Sequence, residues 1–186
     1  TLFLKYLKEE NKVFHIGHGR HFFDPVKQKV TDLPDIGYGQ LRDIIKVDSC
    51  FIGTGQSNRL YWIDSSFTSL LYSDTVETEG VIHCLSKYDD HRLLIGGNTG
   101  VSLYEKDIVQ EFRPDIPFFR SNIFKINEIS DSLRFFFSVN NGVGLLINDE
   151  DFVLLNSKNG LASDMVFWAH VNDEKLITGS GRGFSL

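Results

Sequence analysis

The sequence predicts an all-β fold, a β-propeller of about four and a half four-stranded antiparallel blades, and three observations predict it. First, an apolar pair followed by small residues recurs at His15-Ile16-Gly17-His18-Gly19, Phe51-Ile52-Gly53-Thr54-Gly55, Leu94-Ile95-Gly96-Gly97, Phe136-Phe137-Ser138-Val139 and Leu176-Ile177-Thr178-Gly179. Second, with Gly17, Gly53, Gly96, Ser138 and Thr178 as markers, the intervals are 36, 43, 42 and 40 residues, close to the roughly 40–45 of a propeller blade. Third, residues 92–103 align without a gap on 134–145 at a constant offset of 42, with Arg92/Arg134, Asn98/Asn140, Gly100/Gly142, Val101/Val143 and Leu103/Leu145 in step.

The units are short β-branched and aromatic runs broken by Asn, Gly, Asp and Ser, so they read as strands rather than as the i, i+3, i+4 pattern of a helical solenoid. Each unit divides into four strands, a to d. The first runs 2–7, 12–16, 21–24 and 28–33; the second 41–47, 50–53, 59–63 and 69–72. The third runs 81–86, 92–96, 101–104 and 108–112, and the fourth 123–129, 133–139, 144–147 and 152–155. The fifth has 166–171 and 175–178 and reaches only Phe184-Ser185-Leu186. Blades are therefore expected at about 1–36, 37–78, 79–118, 119–160 and, incompletely, 161–186.

Strand b is nearly continuous in apolar residues, as in Phe135-Phe136-Phe137, which means burial on both faces. The small residues after it (Gly53, Gly96, Gly97, Ser138) are expected to let strands converge near the central channel. Four whole units and part of a fifth fall short of closing a typical ring, so the chain is expected to be a fragment of a larger propeller. Further blades, a partner or a second copy are expected to cover its open faces.

Composition excludes several classes. The 186 residues are 41% hydrophobic and 24% charged, ordinary for a globular protein. No window has the ~18 uninterrupted apolar residues of a membrane helix, so no direct membrane insertion is expected. A formal net charge of −6 with scattered Lys and Arg offers no basic stripe for nucleic acid. Cys50 and Cys84 sit in strands without metal-ligand spacing and read as buried free thiols.

Two stretches carry a family resemblance. Asn159-Gly160-Leu161-Ala162-Ser163-Asp164-Met165-Val166, followed by Val171-Asn172-Asp173-Glu174-Lys175-Leu176-Ile177-Thr178-Gly179, resembles the two-component regulator propeller repeat. Phe51-Ile52-Gly53-Thr54 and Leu94-Ile95-Gly96-Gly97 resemble its second half, with Phe51, Leu94, Phe136 and Leu176 where that repeat usually has tryptophan. The resemblance implies a ligand-sensing segment of a hybrid two-component regulator, on the extracytoplasmic side of a bacterial inner membrane, with a homodimeric parent and a saccharide ligand. The rival readings are a protein-interaction scaffold and a fragment of a propeller glycan hydrolase or lyase.

The candidate ligand site lies on the b–c turns, which converge at one end of a propeller. These carry Arg20, Gln56, Asn58, Arg59, Asn98, Asn140, Asn141 and Arg182, amides and guanidinium groups suited to hydroxyls and acid groups. Turn geometry alone also accounts for each Asn, and the arginines are the stronger candidates. His15, His18 and His21 do not make a metal site, because in a strand a separation of three puts His15 and His18 on opposite faces. Gly179-Ser180-Gly181-Arg182-Gly183 reads as a hairpin turn, not a phosphate loop, since no helix follows. Asp89-Asp90, Asp149-Glu150-Asp151 and Asp173-Glu174 read as solvated hairpin tips, and Trp62 and Trp168 as packing groups. No catalytic residue, metal or cofactor is expected, and the segment is not expected to be an enzyme.

Overall fold

The structure, a computed structural model, describes residues 3–7, 10–16, 20–33, 41–55, 58–76, 78, 80–172, 175–180 and 182–185, with backbone alone at 3, 16, 20, 168–172 and 185. The first sheet holds β1 (Phe3–Leu7), β2 (Lys12–Ile16), β3 (Arg20–Asp24) and β4 (Lys29–Asp32), and the second β5 (Asp43–Val47), β6 (Cys50–Thr54), β7 (Arg59–Asp64) and β8 (Leu70–Thr75). The third holds β9 (Ile82–Lys87), β10 (Leu93–Gly97), β11 (Gly100–Glu105) and β12 (Ile108–Glu111), and the fourth β13 (Ile123–Ser130), β14 (Leu133–Ser138), β15 (Val143–Ile147) and β16 (Asp151–Leu155). The fifth has three described strands, β17 (Val166–Asn172), β18 (Lys175–Ser180) and β19 (Gly183–Ser185). Each sheet is an antiparallel meander, and together they form a propeller. A short 3₁₀ turn, Pro117–Arg120, joins the third sheet to the fourth; the strand pattern gave no sign of it.

The first strands β1, β5, β9 and β13 lie against one another in succession and form the axis. The last strands are the rim: every residue of β4 is exposed, and most of β8 and β12. Strand b lies one place out from the axis, buried on both faces as its apolar run predicts. Of the small residues that follow it, Gly96 makes room for Cys84 and Ile123, on the first strands of the third and fourth sheets; the Cys84 Sγ would lie 2.5 Å from an added Cβ, so here a small residue lets the axial strands approach.

Four clusters of buried side chains fill the gaps between consecutive blades. Phe14, Phe22, Phe51 and Phe67 fill the first, and Ile52, Trp62, Leu85 and Ile95 the second. Leu94, Phe112, Phe119 and Phe136 fill the third, and Phe135, Phe137, Leu161 and Val166 the fourth. The residue before the marker does not keep one direction. Ile52 and Phe137 pack toward the following blade, whereas Ile95 packs back against the second blade. The b–c hairpin of the third blade closes over two residues, Asn98 and Thr99, with Gly97 opposite Gly100, and β9–β10 carries an irregularity at Gly96/Gly97. The hairpins of blades two and four are wider, with Thr54 opposite Leu60 and Phe137 opposite Val143. A one-residue difference in register turns a strand over, because side chains alternate faces.

The recurrent glycines of the third and fourth blades have one cause. Gly100 has φ +124° and an added Cβ would stand 2.3 Å from the Phe119 carbonyl; Gly142 has φ +79° and meets the Leu155 carbonyl at 2.1 Å. In both, the chain leaving the blade crosses directly over the turn. Gly100→Ala is expected to cost roughly 1–3 kcal/mol, read as a fall in the urea midpoint at unchanged m-value. A midpoint matching the parent would show that the crossing chain can move away.

The Asn159-Gly160-Leu161 stretch is a connector with a packing role. Asn159 Nδ2 donates to the Leu154 carbonyl at 2.7 Å, Gly160 has φ +139°, and Leu161 inserts between the fourth and fifth blades.

In the acidic turns Asp90, Glu150 and Asp151 are exposed, Asp173 and Glu174 lie outside the described residues, and two residues carry ion pairs. Asp149 accepts from Arg134 at 2.6 Å, and Asp89 from Arg92. These two arginines hold the same place in consecutive repeats and flank the ring of Tyr88, at 4.6 Å (Arg92) and 4.8 Å (Arg134) from its centroid. Arg134 is buried while Arg92 is half-exposed. Trp62 is a packing group, stacked on Tyr72 with centroids 4.2 Å apart; Trp168 has no described side chain. Cys84 is buried and free as expected, but Cys50 is only half-buried.

Among the described residues, exposed apolar side chains stand on the first and the fifth sheets. On the first sheet, register aligns Tyr6, Val13, Phe23 and Val30 in one row and Leu4, His15, His21 and Asp32 in the next, all on the face turned away from the Phe14 cluster. Tyr6, Leu4 and Val30 are each more than half exposed, as are Phe167 and Phe184 of the fifth sheet.

Candidate functional site

The b–c turns and the connectors between sheets share one end of the propeller, and they are tied to each other. Asn58 Nδ2 donates to the Val76 carbonyl at 3.1 Å, the Val81 amide donates to Asn98 Oδ1 at 2.8 Å, and Asn141 Nδ2 donates to Ser121 Oγ at 2.7 Å. Three of the asparagines singled out in the sequence therefore have an architectural use. The Asn140 side chain is exposed, and its backbone N–H donates to Ser138 Oγ at 3.4 Å. Arg59 is an exposed strand residue opposite Thr75, and Arg182 is exposed in the β18–β19 hairpin. Gln56 and the Arg20 side chain lie outside the described residues, as does His18. None of these candidates lines either of the two concavities that follow.

The first concavity is a groove of about 320 Å³ at the b–c end, walled by Thr78, Thr99, Ser102, Gln110, Glu111 and Arg120 over the buried Phe112 and Phe119. Arg120 donates to Glu111 at 3.1 Å, and Thr78 Oγ1 is buried with no hydrogen-bond partner among the described residues. A buried hydroxyl is ordinarily satisfied by protein or water. Hydroxyls, an amide and a planar guanidinium over an apolar floor can bind a ligand rich in hydroxyl groups. Thr99 adjoins the predicted Asn98, but Gln110 and Arg120 were hidden from sequence reasoning. Gln110 sits in a rim strand whose polar face looks like any solvated edge, and Arg120 belongs to the 3₁₀ turn.

The second concavity, about 280 Å³, lies on the axis at the a–b end, where the first strands of four sheets converge. Lys5, Glu10, Lys46, Ser86, Lys87 and Glu128 give it polar walls. Beyond Lys5 stands Asp43, 6% exposed. Its Oδ1 accepts from Lys5 at 2.5 Å and from the Ile44 amide at 2.8 Å, while Oδ2 accepts from the Leu85 amide at 2.8 Å. One carboxylate so joins the first, second and third blades. Glu10 binds Lys46 in the same manner. Burial lowers the pKa of Lys125, on the fourth blade, even though Asp43 raises it. Arg42 meets His83 Nδ1 at 2.9 Å, and burial, then that guanidinium, lower the His83 pKa.

His15 and His21 are cross-strand neighbours stacked at 5.4 Å, and His21 Nδ1 lies 2.7 Å from Asp32. Among the described residues no group of three or more His, Cys, Asp or Glu could hold a metal ion. No helix among them is long and apolar enough to cross a membrane.

No family model matches the sequence. No curated protein matches it either. A solved structure does resemble it: the crystal structure described as the extracellular domain of a hybrid two component system, BT3049 from B. thetaiotaomicron, superimposes with TM-score 0.63 over 98% of this chain at 11% identity. What the two share is the propeller fold. The chain spans 32% of that structure's length.

Proposed function

We propose that this segment belongs to the ligand-sensing propeller of a hybrid two-component regulator, on the extracytoplasmic side of the membrane, and that its ligand is a saccharide. The observation that carries the reading is the superposition of nearly the whole chain on the extracellular domain of such a system. The divergent propeller repeats support it, and the groove at the b–c end supports the ligand class, since Thr78, Thr99, Ser102, Gln110 and Arg120 match hydroxyl groups. Binding acts by favouring one of two arrangements of the propeller relative to its membrane stalk or dimer mate. The segment itself catalyses nothing in this reading, and further blades or a second copy of the chain cover the open faces.

A thermal-shift screen against neutral and acidic oligosaccharides tests it. A ligand at 100 times its Kd stabilises the folded state by about 2.7 kcal/mol. One oligosaccharide class is expected to raise the melting temperature, with Gln110→Ala and Arg120→Ala both removing the rise. A flat panel on folded protein would overturn the saccharide reading. It would favour a protein-interaction scaffold, for which the exposed row of Tyr6, Phe23 and Val30 is the specific observation.

A further inference from the structure

Along the axis, among the described residues, positive groups outnumber negative ones in a chain whose formal net charge is −6. Arg42, Lys5, Lys46, Lys87 and Lys125 stand in or beside the four first strands, against Asp43, Glu10 and Glu128. Two of these three carboxylates are already engaged. Asp43 holds Lys5 and two backbone amides, Glu10 holds Lys46, and Glu128 lies 4.0 Å from the buried guanidinium of Arg134. Arg42 faces an imidazole, which supplies no negative charge. Lys87 lines the cavity, and among the described residues its ammonium has no ion-pair or hydrogen-bond partner.

We propose that the axial cavity is an anion site, which takes a small ligand by its carboxylate, received by the Lys87 ammonium at the mouth with Lys5 behind it. Leu7, Ile45, Leu85 and Ile126 wall the same space, and apolar walls strengthen a charge–charge contact by excluding water. About 280 Å³ lies just under the usual range of ligand pockets, which limits the enclosed part of the ligand to about one sugar-sized unit. Ser86 and Asn127 add polar groups for the remainder of the ligand. The carboxylate can belong to an acidic sugar residue or to a free organic acid; both present the same group to Lys87. This site is at the opposite end of the propeller from the b–c groove and does not depend on the chain being a sensor.

Calorimetric titration of the protein with a galacturonic acid trimer, with the matching neutral galactose trimer and with citrate tests the site. At least one of the two acids is expected to bind, more weakly as salt rises, and about tenfold more weakly in Lys87→Met, in line with one charge-assisted hydrogen bond. Lys158→Met, an exposed lysine in the connector before the fifth blade, is expected to leave the affinity unchanged. Circular dichroism keeps a folding defect in Lys87→Met separate from a binding defect. Binding of the trimer but not citrate assigns the carboxylate to an acidic sugar, and the converse to a free organic acid. Equal binding of the neutral and acidic trimers, acid binding that Lys87→Met leaves intact, or no acid binding at all would each overturn the anion site. The first of these would leave the saccharide-sensing reading standing; citrate binding without any sugar binding would do the reverse.

Discussion

Replacing Phe136 with alanine is expected to lower folding stability by about 3–5 kcal/mol. The ring is fully buried between the third and fourth blades. It meets Phe119 edge-on at 4.8 Å and Phe112 at 6.1 Å, so its removal takes apolar contact from two blades and the 3₁₀ turn between them. The cavity cannot collapse easily. Both walls are sheets whose strands are fixed by hydrogen-bond ladders, and a blade must slide as a unit to refill the space. Urea unfolding followed by circular dichroism reads the change, with Ile108→Ala, an exposed rim residue, as the comparison expected to stay within about 0.5 kcal/mol. If Phe136→Ala fell by less than about 1.5 kcal/mol, the inter-blade aromatic cluster would not be what holds these blades together.

Asp43→Asn is expected to cost about 3 kcal/mol, the low end for removing one partner of a buried ion pair, since Lys5 keeps some solvent contact. The asparagine preserves size but leaves Lys5 without its counter-charge, and its amide NH₂ meets either that ammonium or the Leu85 amide, donor facing donor. The loss spreads over three blades because one carboxylate bridges them. A double-mutant cycle with Lys5→Met isolates the pair, with a coupling energy of roughly 1–3 kcal/mol expected. Additive effects of the two substitutions would mean that the carboxylate and the ammonium do not share their energy, and the bridging role would fall.

The repeat was legible because it is written in local chemistry. Gly100 and Gly142 mark turns over which the outgoing chain crosses, and Leu94 and Phe136 mark a strand covered on both sides. Such features depend on residues close in sequence, so they recur wherever a blade recurs. The candidate sites were less legible. Asn58, Asn98 and Asn141 stand at the b–c end as placed, yet their side chains reach connectors 18, 17 and 20 residues away in sequence. A turn asparagine that binds a ligand and one that pins a connector have the same local signature. Lys87 and Asp43 carried no signal, because a charged residue at the end of a strand ordinarily means solvent.

By itself, then, the sequence determined the class of fold, the four-stranded meander and the double burial of strand b. All of these follow from periodicity and from the residues that turns demand. Only the tertiary structure decided which way each strand faces. The gapless match between residues 92–103 and 134–145 places Leu94 on Phe136, yet the two meet from opposite sides of one cluster, since a one-residue difference in hairpin closure inverts the strand. Only the tertiary structure, too, brought Lys5, Asp43, Lys87 and Glu128 around a common axis. Four first strands, each some 40 residues from the next, meet there because sheets with two apolar faces exclude water only by packing against one another in a ring.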